Sequence, residues 1–164
     1  MNPFAQYKIP FIGLKEGFHV YDFQIGESFF SSFEFGEIQS CDIKVILELH
    51  RSSNMIQLDF ALDGMVYFPC DRCGEMIQIP LSGEYQQIIK FGDQTNLDEE
   101  IIVFGPAEHI IEVQQWIYEF AHLSLPLKRV HENLNDCIKV AFVEDGTSDE
   151  EEIDPRWSAL KGLK

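Results

Sequence analysis

The order of apolar and polar positions divides most of the chain into short alternating runs, followed by one helical stripe. Over residues 41–49, Ile43, Val45, Leu47 and Leu49 fall on one side of an extended backbone, with polar neighbours between them. Residues 50–54 are a polar turn, after which Ile56, Leu58, Phe60 and Leu62 alternate again. Asp63-Gly64 reads as the next turn, with a further strand over 65–68 and two more over 76–80 and 85–91. Nearer the start, the run 7–12 and the alternation of Phe18, Val20 and Asp22 against His19, Tyr21 and Phe23 flank Leu14-Lys15-Glu16-Gly17, which predicts a hairpin. Gly26-Glu27-Ser28 opens a short helix through Phe29, Phe30 and Phe33. A short strand over 101–104 ends at Gly105-Pro106. Val113, Trp116, Ile117, Phe120 and Ser124 recur at 3.6-residue spacing and predict the principal helix, about 110–125, stopped by Pro126.

This pattern predicts an α+β fold: mostly antiparallel sheet or a partly closed barrel, with one principal helix and an acidic C-terminal tail. Residues 1–143 read as a single globular β-rich domain. Residues 144–164 read as an acidic linker and a short C-terminal motif, because seven carboxylates and no Lys or Arg fall within 144–154. Phe29, Phe30, Trp116, Ile117 and Phe120 are expected in the core.

Composition changes the picture in one respect. With 12 Lys+Arg against 28 Asp+Glu, the 164-residue chain carries a formal net charge of −16. Such a surface repels phosphate, which argues against autonomous non-specific binding to nucleic acid or anionic lipid and favours basic partners. No run approaches the length of a membrane span, and residues 1–8 lack the features of a secretory leader. A cytoplasmic location is therefore expected. There Cys41, Cys70, Cys73 and Cys137 serve as reduced thiols or metal ligands.

Candidate chemistry centres on Pro69-Cys70-Asp71-Arg72-Cys73-Gly74. Cysteines three apart can turn both sulfurs to one side of a tight loop, and the following glycine tolerates positive φ. His131 and Cys137 would complete a Cys₃His set for structural zinc with Cys70 and Cys73, provided the fold brings the halves together. Two other readings stand beside it: a Cys70/Cys73 redox dithiol, and reduced thiols in a plain turn. Redox motifs of this spacing usually open a helix, whereas both flanks here look like strands. No dinucleotide, nucleophile-elbow or metalloprotease motif is present, and the five histidines are scattered.

Three segments, in order, resemble one family. Cys70-Asp71-Arg72-Cys73 matches a Cys-x-Arg-Cys motif. Residues 119–126, with Glu119, Leu123, Leu125 and Pro126, match a Glu-x-x-x-Leu-x-Leu-Pro segment followed by His131 and Cys137. Asp154-Pro155-Arg156 with Leu160 and Leu163 matches a C-terminal Asp-Pro-Arg…Leu ending. The chain is similar in these to the YceD family, the large ribosomal RNA subunit accumulation proteins. It departs at 127–130, where a second proline is common, and in its aromatic first third. The resemblance implies a bacterial or plastid protein needed for 23S rRNA accumulation and large-subunit assembly, and it supplies no enzymatic activity.

The leading expectation is thus a non-enzymatic assembly factor that meets a large-subunit precursor or a basic ribosomal protein. Arg72, Lys128 and Arg129 are candidate contacts for RNA phosphate or a partner carboxylate. The alternatives are a dithiol redox protein or enzyme using Cys70/Cys73, and an interaction module unrelated to ribosomes.

Overall fold

The computed structural model describes residues 4–34, 37–38, 40–92, 101–133 and 137. A five-stranded sheet is its frame. Strands β2 (Gly17–Gly26), β3 (Ser40–Arg51), β4 (Met55–Pro69) and β5 (Met76–Phe91) form an antiparallel meander, and β6 (Ile101–Phe104) adds parallel to β5. Strand β1 (Lys8–Pro10) pairs with β7 (Ile110–Glu112) in a separate ribbon. The helices are α1 (Glu27–Phe30) and α2 (Gln114–Leu123). The order β2-β3-β4-β5-β6 leaves the first and last strands unpaired with each other, so the sheet is open and the barrel alternative is set aside among the described residues. The acidic linker and terminal motif expected over 144–164 lie outside the described residues.

The period-two alternation explains which face is buried. Ile43, Val45, Leu47 and Leu49 of β3 and Ile56 and Leu58 of β4 are each 0% exposed. Removing that much apolar surface from water is the main stabilising term. Helix α2 and the N-terminal aromatics cover this face. Phe60 of β4 meets Phe120 edge to face at 5.2 Å, and Tyr85 stacks on Phe120 at 4.4 Å. The aromatic first third closes one side: Tyr7 lies 5.0 Å from Phe29, and Phe33 stacks on Tyr118 at 4.3 Å. Phe29, Phe30, Ile117 and Phe120 are buried as expected, but Trp116 is only half-buried and touches the core through Phe60. Among the described residues nothing covers the opposite face of the sheet, where outward residues such as Val20, Lys44, Asp63 and Glu84 are exposed.

Four local expectations are corrected. The predicted hairpin between 7–12 and 18–23 does not form. Ile9 pairs with Ile111 on β7, Phe11 packs on Phe91 and Phe104, and β2 pairs with β3 instead. The β1 pairing also claims Ile110–Glu112, so α2 begins four residues later than its stripe suggested, and it ends at Leu123. Asp63-Gly64 is not a turn but the middle of a fifteen-residue strand. There a Cβ at Gly64 would sit 2.2 Å from the Asp42 carbonyl oxygen and 2.6 Å from the Ile43 Cα, so glycine serves close approach between strands rather than a reversal. Likewise 76–80 and 85–91 are one strand. Gly83 makes room for the Ser124 hydroxyl at the end of α2, and Pro80 sits on the length of β5 that has no outer neighbour among the described residues.

Gly64→Ala is therefore expected to cost about 3 kcal/mol, the upper end of ordinary overpacking, because the obstructing atoms are backbone. A denaturant midpoint unchanged from wild type would show that β3 and β4 can part there without loss.

Candidate metal centre

The β4–β5 hairpin carries one half of the centre at its tip. Pro69 pairs with Met76, and the six residues between them form the loop. The Cys70 N–H donates to the Glu75 carbonyl at 2.8 Å, and the Gly74 N–H donates to the Cys70 carbonyl at 2.9 Å. Gly74 adopts φ +76°, a region open to glycine at little cost, and this closes the loop directly after the second cysteine. The Arg72 N–H points at the Cys70 sulfur, 3.5 Å away.

The other half arrives from α2. The Ser124 N–H donates to the Phe120 carbonyl, Pro126 prevents continuation, and residues 124–131 run back to the hairpin tip. The Asp71 N–H donates to the Arg129 carbonyl and the Arg129 N–H to an Asp71 carboxylate oxygen, each at 2.7 Å. The Arg129 side chain pairs with Glu37 and lies over the Phe68 ring, 4.1 Å from its centroid. These contacts place His131 beside Cys73, with Nδ1 3.7 Å from the sulfur. The Cys137 sulfur lies 3.3 Å from His131 Nδ1 and 3.9 Å from the Cys70 sulfur.

The ligand atoms of Cys70, Cys73, His131 and Cys137 all lie within 4.8 Å of one another. A tetrahedral zinc, with sulfur at about 2.3 Å and imidazole nitrogen at about 2.0 Å, sets donor–donor edges of about 3.8 Å for sulfur pairs and about 3.5 Å for sulfur–nitrogen pairs. Three of the six edges, at 3.9, 3.7 and 3.3 Å, are close to those values. The Cys70–Cys137 separation is far beyond a disulfide bond length. Cys70 and Cys137 are buried, Cys73 and His131 half-buried, and the set offers donors without a cation among them. Burial pushes the Cys70 thiol up, but hydrogen bonds from Arg72, Cys73 and His131 to its sulfur prevail and hold it at about 6. Burial raises Cys137, as do the neighbouring Cys70 and Cys73 sulfurs. A divalent ion would relieve that repulsion and favour the deprotonated form of every thiol.

Among the residues singled out from sequence as contacts, Arg72 and Lys128 are exposed and form no ion pair among the described residues. The Arg129 side chain pairs with Glu37 and lies over the Phe68 ring. Sequence reasoning did not single out Asp71, Glu37, Phe68 or Glu75. A Glu75 carboxylate oxygen lies 4.0 Å from His131 Nε2, beyond hydrogen-bond distance.

Cys41 stands apart from the cluster. Burial, with Asp42 and Glu27 beside it, pushes its thiol up to about 11. At pH 8 only roughly one Cys41 in a thousand is then thiolate. In folded protein Cys41 is expected to resist iodoacetamide at pH 8, and peptide mapping checks this. Rapid labelling would show that the β2–β3 edge opens readily.

The chain belongs to the YceD family. The family model, described as large ribosomal RNA subunit accumulation protein YceD, matches residues 58–164 and so takes in both halves of the cluster. No curated protein and no solved structure matches the chain. No helix among the described residues is long and apolar enough to cross a membrane.

Proposed function

We propose that the chain is a non-enzymatic cytoplasmic factor supporting 23S rRNA accumulation and large ribosomal subunit assembly, with one structural zinc held by Cys70, Cys73, His131 and Cys137. The observation that carries the reading is the family match across residues 58–164, which spans all four cluster residues. The donor edges support zinc, and four protein ligands leave no open position for substrate or water. The ion would tie the segment after α2 to the β4–β5 hairpin and present Arg72 rigidly beside it. With a net charge of −16, the chain suits a basic ribosomal protein, or a precursor already carrying one, better than bare rRNA.

Depletion of the protein tests this reading. The expected result is a fall in 23S rRNA relative to 16S rRNA, with co-sedimentation of tagged protein with large-subunit precursors. Unchanged rRNA ratios on full depletion would refute it. The low Cys70 value keeps a second reading in play, a Cys70/Cys73 redox dithiol. Against it, the Cys-x-x-Cys lies in a loop between two strands, and a third cysteine and a histidine close on the pair. Bound zinc with unreactive thiols supports the first reading, and a free, rapidly alkylated dithiol supports the second.

A further inference from the structure

The face of the sheet opposite α2 has no cover among the described residues, and its composition is not that of an ordinary solvated face. The outward residues of β2 to β5 include Asp22, Asp42, Glu48, Asp59, Asp63 and Glu84, against only Lys44 and Lys90. Lys44 is spent on Asp22, at 3.0 Å. Glu48, Asp63 and Glu84 have no ion pair among the described residues. Large apolar side chains share this face: Phe18 is 75% exposed and Val20 64%.

The face also has a shaped centre. Between β3, β4 and β5 lies a hollow of about 390 Å³ whose outward lining side chains include Ile46 and Ala61 together with Glu48, Asp59 and Glu84. Gln57 and Gln86 donate to the two oxygens of Asp59 at 2.9 and 2.7 Å, which fixes that carboxylate in place. Apolar walls with several carboxylates are the complement of a lysine or arginine side chain, which buries its stem and needs anions at its head.

We propose that this bare sheet face docks a basic polypeptide, with one of its Arg or Lys side chains seated in the hollow between β3, β4 and β5. Charge complementarity selects this occupant: a nucleic acid would bring phosphates against the carboxylates, and a second copy of this chain would bring like charge. The proposal rests on the ribosomal reading above and names the surface that meets the basic partner.

The probe is a fluorescein-labelled synthetic peptide of alternating Arg and Val residues, titrated with full-length protein at physiological salt. Glu48→Gln with Glu84→Gln removes two carboxylates from the hollow. Glu16→Gln with Glu34→Gln removes the same charge elsewhere and serves as control. Wild type is expected to bind, the hollow variant to lose at least about tenfold in affinity, and the control to stay within about twofold. Equal losses in both variants would mean a general field rather than a site, and would overturn the proposal, as would absence of binding. Labelled poly-uridine bound with the same sensitivity to Glu48 and Glu84 would overturn it in favour of RNA. In cells, the hollow variant should fail to restore 23S rRNA after depletion. The peptide measurement does not depend on rRNA levels, so refutation of the ribosomal reading would leave a positive binding result standing. A null binding result would leave the ribosomal reading intact.

Discussion

Protein purified without added metal is expected to carry about one equivalent of zinc, and Cys137→Ser to carry well below that. Where folding alone creates a zinc site, the ion contributes about 10–16 kcal/mol. Here the contribution should be smaller. Cys70 and Cys73 sit on a hairpin already held by the β4–β5 ladder. A loss on the order of 5 kcal/mol on chelation is the expected scale, concentrated in the hairpin tip and residues 124–131. Those residues reach the hairpin by few other tethers among the described residues: the Asp71 N–H to the Arg129 carbonyl, the Arg129 N–H to the Asp71 carboxylate, the Tyr85–Ser124 hydroxyl contact and the Arg129–Phe68 contact. Hydrogen exchange before and after chelation should show lost protection there and little change at Leu47 or Leu58. Acid competes for the same donors, so metal should leave as pH falls. Cobalt substitution adds an independent check, because tetrahedral thiolate coordination has its own visible spectrum. Folded, reduced wild type with zinc far below one equivalent would end the metal assignment.

The face-forming residues of the sheet were legible because a period of two survives any strand length: Ile43 through Leu49 and Ile56 through Leu62 point inward as written. Strand continuity was not legible. Glycine and proline punctuate local patterns, yet Gly64 and Gly83 are required by neighbours distant in sequence, Asp42 and Ser124. Nor was the parallel seat of β6 or the pairing of Ile110–Glu112 with β1, since both are set by tertiary pairing and neither leaves a local mark. The hairpin half of the centre could be read from spacing, with Gly74 as its local signature. The other half lies 58 residues on, and spacing alone could not join His131 to Cys73. The Arg129 contacts to Asp71, Glu37 and Phe68 that close the gap have no sequence signal.

Phe60→Ala is expected to cost about 3–5 kcal/mol, the range for deleting a buried aromatic side chain. Phe60 is 2% exposed, and its ring is the part of the sheet against which α2 presents Phe120 and Trp116. Two losses combine: the transfer of the ring itself, and a cavity that Phe120 cannot fill while Tyr85 holds it stacked at 4.4 Å. Trp116→Ala should cost less, about 1–2 kcal/mol, since that side chain is already half in water. Equal costs for the two would mean that α2 is seated differently. The variant also bears on the centre, because α2 aims the segment that delivers His131. Ser124 donates both its N–H and its hydroxyl to the Phe120 carbonyl, so a helix that shifts on losing Phe60 pulls Ser124 and the following residues with it, against the Tyr85–Ser124 hydroxyl contact at 3.0 Å. Metal retention in a chelator titration should therefore fall in Phe60→Ala, although Phe60 supplies no ligand. Full retention alongside a large loss of stability would show that the Asp71–Arg129 tether alone keeps His131 in position.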